Sequence, residues 1–582
     1  MTTSPAPTAT PAPAATPAPA ATPAPTHEAL LERHREILDT ALAAIASREY
    51  FSRYPESPSP RVYGAEAGPA GQAAHEARLG GRYEALASQP EPTSWVGSEV
   101  SPYGPTLGVT YPRYGEPDLD RLLGTVAAAV PAWGAAGPQL RAAVCVEVLD
   151  RINRRSFEMA HAVMHTTGQP FMMAFQAAGP HAQDRGLEAV AYALAEQTRV
   201  PARATWTKPA KGEPLVMAKR FHVVGRGTGL VIACNTFPTW NSYPGLLASL
   251  ATGNAVVVKP HPRAVLPLAI TVEVAREVLA ENGFDPDLVV LAAEEDGEGL
   301  AKPLALHPRI GIVDYTGGPG FGTWLEQNVH QAVVYTEKAG LNTVVVDSTD
   351  DLPGLVQNLA FSLCLYSGQM CTAPQNIFVP ADGISTEAGH LAADAFAERL
   401  ADAVQRLTGD DARAVQLLGA AVNSDVVARA DGAADLGEVV LASRAVRHPD
   451  FPDAVVRSPA LVRVVGDDDV YTAEYFGPVA FVITTSGTQE SLQRFVSTVR
   501  EHGAMTASVY STSEQVLAAA EQASVDAGVA LSMNLTGQVF VNQSAAFSDF
   551  HGTGANPAAN ATLTDGHYVS GRFRVVQSRR HG

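Results

Sequence analysis

The most chemically suggestive stretch of the sequence runs from Phe361 to Pro374 and contains a cysteine, Cys371. An apolar run of helical character ends near Gly368, and Pro374 terminates any helix soon after the cysteine. Cys371 is therefore expected at the end of an element with its backbone N–H nearby, which suits a thiol nucleophile. Taken alone, the stretch favours the simpler interpretation of a buried apolar cysteine, the usual state of a free thiol. Motifs elsewhere in the chain favour the interpretation of Cys371 as a nucleophile.

The elements that must position this cysteine form an alternating pattern of apolar strands and helices. From Gly229 to Thr336, buried strand patterns alternate with helical ones, and polar or Gly-rich segments follow the strand ends. This rhythm predicts an open, mostly parallel sheet that binds ligands at the carboxyl ends of its strands. The rhythm restarts after Glu337 and continues to a predicted strand at 539–541, which indicates a second α/β domain, and the tail ends in a strand-like segment, Arg572–Gln577. A predicted β-hairpin at 198–222 interrupts the preceding helical region.

Composition and charge narrow the functional classes. The 582 residues suffice for two or three domains, and 46% hydrophobic and 17% charged residues are typical of a globular enzyme. A net charge of −19 argues against a nucleic-acid or anionic-membrane partner. The four cysteines form no CxxC pair, so neither a disulfide framework nor a zinc knuckle is indicated. His161 and His165, one helical turn apart, are interpreted as packing residues, and no metal site is expected.

The N-terminal residues 1–27 are a Pro/Ala-rich tail, expected to be disordered. They have neither the basic nor the apolar region of a secretory signal. No apolar run is long enough to span a membrane. The sequence therefore predicts a cytoplasmic protein with reduced thiols.

Six separated segments resemble, in their order, the aldehyde dehydrogenase superfamily over roughly residues 120–545. They are Thr236–Asn241, Ala255–Pro260, Thr316–Gly322, Glu337, Gly368–Cys371 and Glu474–Val479. Each segment is weak by itself, because Gly-rich turns are common, but six in register are a strong signal. The composition of the N-terminal arm and the segments 169–176 and 549–554 resemble most closely the branch that acts in phenylacetate degradation.

The resemblance implies an α/β fold with two doubly wound parallel-sheet domains, one binding the cofactor and one catalytic, plus an oligomerisation hairpin. The N-terminal arm and dinucleotide-binding domain would occupy 28–197 and 223–336, and the catalytic domain 337–550. Residues 198–222 and 551–582 would be oligomerisation segments, giving a homodimer or a dimer of dimers.

The resemblance also implies catalytic roles for three residues. A Cys371 thiolate would add to an aldehyde, because oxidation is easier from the resulting thiohemiacetal than from the free carbonyl. The Asn241 amide and the Cys371 backbone N–H would stabilise the oxyanion. Glu337 would then activate a water molecule that hydrolyses the thioester. Branches of the family that pass the acyl group to coenzyme A tend to lack this carboxylate, so Glu337 favours a free acid as product.

A nicotinamide cofactor is implied in the same way. Lys259 would reach the adenosine ribose or its phosphate, and three glycines would bring a helix N-terminus near the pyrophosphate. Glu474 would hold the nicotinamide ribose. The full set of expected cofactor contacts is Phe237, Trp240, Lys259, His261, Arg263, Gly317, Gly318, Gly322, Glu474 and Phe476.

Departures from the family pattern bear on the cofactor and the substrate. Lys259 is followed by Pro-His-Pro-Arg, where NAD-preferring members usually carry a glutamate that grips both ribose hydroxyls. Without that carboxylate, Lys259, His261 or Arg263 can pair with a 2′-phosphate, so NADP is predicted, with NAD as the alternative. Small residues between Asn241 and Lys259 suggest a wide substrate entrance.

By resemblance, the substrate is the ring-opened semialdehyde of phenylacetate degradation, a coenzyme A thioester with a distal aldehyde. Three alternatives remain open at this point. They are a broad-range aldehyde dehydrogenase, a coenzyme A-acylating enzyme, and a non-catalytic protein built on the same fold.

Overall fold

The computed structural model of the chain describes residues 26–338 and 340–581. Residues 1–25 of the predicted Pro/Ala-rich tail lie outside this part. Within the part that is described, no helix combines the length and the apolar character needed to cross a bilayer.

The N-terminal region is a helical layer with one small two-stranded sheet. It contains α1 (His27–Ser47), α2 (Pro60–Tyr63), α3 (Ala67–Glu76), β1 (Ser94–Val96), β2 (Tyr111–Arg113), α4 (Leu119–Ala135), α5 (Pro138–Arg154), α6 (Ser156–Thr167), α7 (Phe171–Gln176) and α8 (Ala182–Thr198). The hydroxyl of Thr26 accepts a hydrogen bond from the backbone N–H of Ala29 and so caps α1. Leu30, His34 and Leu38 recur at helical spacing and are buried, so α1 is held by its apolar face.

Two histidines of α6 pack on a third from α3. The rings of His161 and His165 stack on His75, with centroids 5.9 and 5.3 Å away. His165 Nδ1 also lies 3.0 Å from the Ser101 hydroxyl. These contacts agree with the interpretation of His161 and His165 as packing residues.

A hairpin and the first large sheet follow. Their elements are β3 (Arg203–Lys208), β4 (Leu215–Gly225), β5 (Thr228–Ile232), α9 (Pro238–Ala251), β6 (Ala255–Lys259), α10 (Leu266–Glu281), β7 (Val289–Leu291), α11 (Ala301–Leu306), β8 (Ile310–Gly317), α12 (Pro319–Asn328) and β9 (Val333–Lys338). The sheet has the order β7-β6-β5-β8-β9 and is parallel throughout. All residues of β5 and β6 are buried, as expected for strands covered on both faces. The strand order reverses between β5 and β8, where such sheets bind ligands.

The second large sheet begins after β9. Its region contains β10 (Thr343–Val346), α13 (Leu352–Cys364), β11 (Asn376–Pro380), β12 (Ile384–Thr386), β13 (Gly389–Leu391), α14 (Ala393–Thr408), α15 (Asp411–Ala414), α16 (Ser424–Asp431), β14 (Glu438–Leu441), β15 (Ala445–Val446), β16 (Val456–Arg457), β17 (Ala460–Val465), β18 (Val479–Thr485), α17 (Thr488–His502), β19 (Thr506–Tyr510), α18 (Glu514–Ala527) and β20 (Ala530–Met533). The strand order is β14-β17-β18-β11-β10-β19-β20, and only the edge strand β14 runs antiparallel to its neighbour. The predicted α/β fold with two doubly wound sheets is therefore confirmed.

The strand predicted at 539–541 is wrong, because these residues lie in an irregular loop. The Val539 carbonyl accepts a hydrogen bond from the Asn358 side chain at 2.6 Å instead of pairing with a neighbouring strand. The two valines of this run favour a strand, but the Asn358 side chain, and not a neighbouring strand, supplies the hydrogen bond to the Val539 backbone.

The chain ends with α19 (Gly566–Ser570) and β21 (Phe573–His581). β21 pairs antiparallel with β4, and β3 lies on the other side of β4, so the predicted hairpin forms a three-stranded sheet. Most of β21 is exposed, including Val575 and Val576. Its use in oligomerisation stays a prediction.

Residues 551–572 pack on the chain itself. Ala559 bridges to Glu337 at the end of β9, and fully buried Arg572 forms an ion pair with Asp314 of β8 at 2.5 Å. The use of residues 551–582 in subunit contacts stays a prediction.

Candidate active site

The turn that carries Cys371 has an unusual backbone. After α13 ends at Cys364, Tyr366 and Ser367 adopt positive φ angles of 54° and 51°, which side-chain-bearing residues rarely do. The Ser367 hydroxyl donates to the Gly419 carbonyl at 3.2 Å and so helps to hold the turn. Gly368 also has positive φ, and a Cβ there would lie 2.4 Å from the Gly477 carbonyl oxygen. The turn therefore needs glycine at 368 and is locked against the loop that precedes β18.

Asn342 fixes the backbone of the cysteine itself. Its side-chain amide donates to the carbonyls of Cys371 at 2.8 Å and Ala373 at 2.9 Å. Its side-chain oxygen accepts from the backbone N–H groups of Met505 and Thr506 at 3.0 and 3.1 Å. Buried Asn342 thus ties the Cys371 turn to the start of β19.

Three side chains meet around the Cys371 thiol. Glu337 Oε1 accepts a hydrogen bond from Asn241 Nδ2 at 3.0 Å and lies 3.2 Å from His551 Nε2. The same Nε2 lies 3.9 Å from Cys371 Sγ. The ligand-type atoms of Glu337, Cys371 and His551 lie within 4.8 Å of one another. The second carboxylate oxygen of Glu337, Oε2, is buried and has no hydrogen-bond partner.

The surroundings of Cys371 favour the neutral thiol. Burial contributes most, and the Glu337 carboxylate contributes next, to a pKa of the Cys371 thiol well above its usual range. The backbone N–H of Cys371 acts in the opposite direction but more weakly. A group that takes the proton and offsets the negative charge therefore favours the thiolate.

Asn241 keeps one donor for a ligand. It lies in the first turns of α9, which follows β5 at the carboxyl edge of the first sheet. One N–H of its amide is used by Glu337, and a primary amide has two. The other can face an oxygen bound next to Cys371.

The residues at the end of β6 are paired with carboxylates. Lys259 Nζ forms a buried ion pair with Glu294, which follows β7. Arg263 is paired with Asp296 at 2.8 Å. Burial and then the charges of Lys259 and Arg263 lower the pKa of His261 to about 4, so this ring is neutral at pH 7. Lys259 therefore has a carboxylate partner in space, although no glutamate follows it in the sequence.

The Gly-rich turn joins β8 to α12. Gly318 immediately precedes this ten-residue helix, and a Cβ at Gly318 would meet no atom within 4 Å. A Cβ at Gly317 would lie 2.4 Å from the Tyr315 hydroxyl, and one at Gly322 would lie 2.7 Å from the Lys338 side chain. Gly317 and Gly322 thus permit close packing, while Gly318 leaves open space before the helix N-terminus.

Glu474 and Phe476 lie in the loop before β18, and both are partly buried. Burial raises the pKa of the Glu474 carboxyl to about 7, and nearby Arg429 opposes this. Gln375 holds the loop, because its side chain accepts from the Tyr475 N–H at 2.7 Å and donates to the Ala473 carbonyl at 2.9 Å.

The aromatic residues of the first motif pack inside the site. The Phe237 ring meets Tyr366 edge-on at 5.8 Å, and the Trp240 ring meets His551 edge-on at 4.5 Å. In this arrangement Trp240 lies beside the Cys371 cluster, whereas the sequence assigned it to the cofactor side.

Sequence reasoning missed four residues of this region: His551, Asn342, Glu294 and Gln375. His551 falls in the segment 549–554, noted only for family resemblance, and Asn342 lies in the loop between β9 and β10. A signal existed for Glu294, because it closely follows the apolar run of β7, the neighbour of β6, at the edge where ligands bind. Gln375 gave no signal.

Four similarities place the chain among known proteins. The sequence pattern of the aldehyde dehydrogenase family matches residues 95–555. The NAD-dependent aldehyde dehydrogenase from Burkholderia multivorans, a crystal structure, is 56% identical and superposes with a TM-score of 0.93, covering 95% of this chain and 99% of that one.

More distant relatives are also similar. The N-succinylglutamate 5-semialdehyde dehydrogenase of Paraburkholderia xenovorans strain LB400 is 26% identical over 65% of this chain and 74% of its own length. A structure of the Thermus thermophilus 1-pyrroline-5-carboxylate dehydrogenase is 19% identical and has a TM-score of 0.72, covering 92% of this chain and 99% of that one. The similarity to the Thermus thermophilus protein concerns the fold alone.

Proposed function

The chain belongs to the aldehyde dehydrogenase family, and from that premise we propose that it oxidises an aldehyde to the free acid through a thioester on Cys371. The observation that carries this proposal is the cluster of half-buried Cys371 with buried Glu337 and Asn241 at the carboxyl edge of the first sheet. It contains a nucleophile, an oxyanion donor and a carboxylate base, which are the three groups that the reaction needs.

The first half of the reaction uses Cys371 and Asn241. The thiolate adds to the aldehyde carbon, and negative charge develops on the carbonyl oxygen. The second N–H of the Asn241 amide and the Cys371 backbone N–H are the donors proposed to stabilise it. A bound nicotinamide cofactor supplies the two-electron oxidant.

The second half uses Glu337. Oε1 is held by Asn241 and lies beside His551, whereas buried Oε2 has no partner. A free carboxylate oxygen in a buried site is suited to accept a proton from water, and the hydroxide then attacks the thioester. This supports hydrolysis to the acid over transfer to coenzyme A.

The chain has the residues to hold a nicotinamide cofactor, and we propose NAD. Open space at Gly318 before α12 suits a pyrophosphate, and the Lys259–Glu294 pair suits a ribose with two free hydroxyls. The prediction of NADP depended on an unopposed positive charge here. Glu294 and Asp296 neutralise Lys259 and Arg263, and a 2′-phosphate would meet their carboxylates.

For the substrate we propose a semialdehyde, an aldehyde on a chain that ends in a second acyl or carboxyl group. The resemblance of segments 169–176 and 549–554 supports the ring-opened coenzyme A thioester of phenylacetate degradation. A second candidate is an acyl-amino-acid semialdehyde, since the P. xenovorans relative is named for N-succinylglutamate 5-semialdehyde.

The proposal is tested by following NADH formation with a panel of aldehydes, each supplied with and without a coenzyme A or succinyl group. Cys371→Ala should abolish turnover, whereas Cys145→Ala, at a buried cysteine in α5, should retain it. Activity in Cys371→Ala would refute the proposal, and strict dependence on free coenzyme A would favour the acylating alternative.

The cofactor is tested by kcat/KM for NAD and for NADP. The parent enzyme should prefer NAD, and Glu294→Gln should move the ratio toward NADP because Lys259 is then unopposed. Asp296→Asn should act in the same direction through Arg263. A parent enzyme that prefers NADP by a wide margin would overturn the proposal that the cofactor is NAD.

A further inference from the structure

We propose that His551 is a positioning residue for hydrolysis of the thioester. As an N–H donor, it holds one oxygen of the Glu337 carboxylate and leaves the other free to take a proton from water. This role depends on the proposed function above, in which Glu337 is the base that activates water. Its basis is the contact between His551 Nε2 and Glu337 Oε1, which lie 3.2 Å apart.

The contacts of the two ring nitrogens decide where the His551 proton lies. A neutral imidazole has one N–H and one lone pair, and an ionised carboxylate only accepts. Because Glu337 Oε1 is the partner of Nε2, the hydrogen lies on Nε2. Nδ1 then accepts from the Ser544 hydroxyl, 3.4 Å away. In this tautomer the ring donates toward Glu337 and directs its lone pair at Ser544.

A buried arginine next to Ser544 fixes the same tautomer from the other side. Arg185 Nη2 donates to Ser544 Oγ at 3.1 Å, and a guanidinium cannot accept. The Ser544 oxygen is thus used as an acceptor, and its hydrogen is available for Nδ1 of His551. Arg185 is fully buried and is itself held by Glu188 at 2.9 Å. The hydrogen bonds therefore run in one direction, from the guanidinium to the Glu337 carboxylate.

The His551 ring is also held in place by its packing. It is 4% exposed, and the Trp240 ring meets it edge-on at 4.5 Å. Its backbone carbonyl accepts a hydrogen bond from the Leu563 N–H at 2.9 Å. A donor that is fixed in this way can restrain the Glu337 carboxylate during the reaction.

The two oxygens of the Glu337 carboxylate differ only in their hydrogen bonds. They exchange by rotation about the terminal side-chain bond, which has no sharp preference in glutamate. Oε1 accepts from Asn241 Nδ2 at 3.0 Å and lies 3.2 Å from His551 Nε2, whereas Oε2 is buried without a partner. Two donors on Oε1 leave Oε2 as the base. The proposed oxyanion role draws the Asn241 amide toward the substrate, and His551 then holds Oε1 from a separate segment.

Hydrolysis of the thioester balances without any proton from His551. Water gives one proton to Glu337 Oε2, its oxygen bonds to the acyl carbon, and the C–S bond breaks. The Cys371 thiolate leaves with the bonding electrons and then takes up the proton from Glu337, which restores the thiol and the carboxylate. The product leaves as the free acid, and the ring keeps its Nε2 hydrogen throughout.

The test compares His551→Gln with His551→Asn. Glutamine is long enough to place an amide N–H near the position of Nε2, whereas asparagine places its amide near Nδ1, away from Glu337. The acyl enzyme is formed with aldehyde and NAD, and its decay is followed by rapid quenching and intact-protein mass spectrometry. His551→Asn should slow this decay about 10-fold or more, a part of the effect of a general base. His551→Gln should retain most of the parent rate.

Two further rates separate the positioning of Glu337 from a general effect on the site. The stopped-flow NADH burst reports the first half of the reaction, and alkylation by iodoacetamide reports the Cys371 thiol. Both rates should change far less than acyl decay in His551→Asn, because neither step needs Glu337 to activate water. His502→Asn, at a surface histidine at the end of α17, should leave all three rates unchanged.

Ser544→Ala tests the other ring nitrogen. It removes the hydroxyl that donates to Nδ1, so the ring proton is no longer confined to Nε2. Acyl decay should therefore slow, by a smaller factor than in His551→Asn, while the burst rate is retained. This variant carries the test if the His551 variants fail to fold.

Equal decay rates in folded His551→Gln and His551→Asn would overturn the inference, because the two variants differ in the donor near Nε2. A burst that slows as much as acyl decay in His551→Asn would also overturn it. If the His551 variants do not fold, an unchanged decay in Ser544→Ala would have the same meaning. A parent that forms no acyl enzyme on Cys371 would instead contradict the proposed function itself, and the role of His551 with it.

Discussion

Asn342 offers a direct test of how the nucleophile is positioned. Its buried side chain makes four hydrogen bonds, to Cys371, Ala373, Met505 and Thr506. At about 1 kcal/mol each, Asn342→Ala should lower the free energy of unfolding by about 4 kcal/mol. Because the Cys371 carbonyl loses its donor, the turn should shift, and burst and alkylation rates should fall together.

The measurements are equilibrium urea unfolding and the rate of Cys371 alkylation. Asn328→Ala is the matched control, because its side chain makes one exposed hydrogen bond, to the Trp324 carbonyl at 2.8 Å. The control should change stability by less than about 0.5 kcal/mol. If Asn342→Ala lowers the free energy of unfolding by less than about 1 kcal/mol and leaves the rate of Cys371 alkylation unchanged, Asn342 does not position the thiol.

Two further predictions concern stability. Arg572→Ala leaves the buried Asp314 carboxylate without its cation, and should lower the free energy of unfolding by about 3–5 kcal/mol; an unchanged urea midpoint would contradict this. Burial, with the nearby His165 and His161, lowers the pKa of His75 from 6.5 to about 4. As pH falls, the His75 side chain of the unfolded chain therefore takes up its proton at a higher pH than that of the folded protein. The free energy of unfolding should thus decrease as pH falls from about 6.5 to about 4. His75→Phe should lessen that loss, which thermal melts across this pH range can measure.

The sequence predicted the first sheet well because its strands are continuous apolar runs that end in polar or Gly-rich segments. Burial on both faces produces such runs, and all five residues of β5 are buried. Cys371, Glu337 and Asn241 were found because each lies at an element end within a family motif, and the structure brings all three into one cluster.

Other parts could not be predicted in this way. His551 is 180 residues from Cys371 and lies in an irregular segment, so no periodicity indicates that the two side chains meet. The preference for NADP was argued from the residues next to Lys259 in sequence. Its actual partner, Glu294, comes from beyond the neighbouring strand. Contacts across strand ends are set by sheet order, which local spacing does not encode.

The central claim is that the aldehyde passes through a thioester on Cys371 that Glu337 helps to hydrolyse. The most direct test is intact-protein mass spectrometry of Glu337→Gln mixed with aldehyde and NAD. Glutamine keeps the shape but is not basic, and a general base is worth about 10²–10⁴-fold. We predict one NADH per active site, a stall, and an added mass equal to the substrate acyl group at Cys371. Normal steady-state turnover with no adduct would contradict the account.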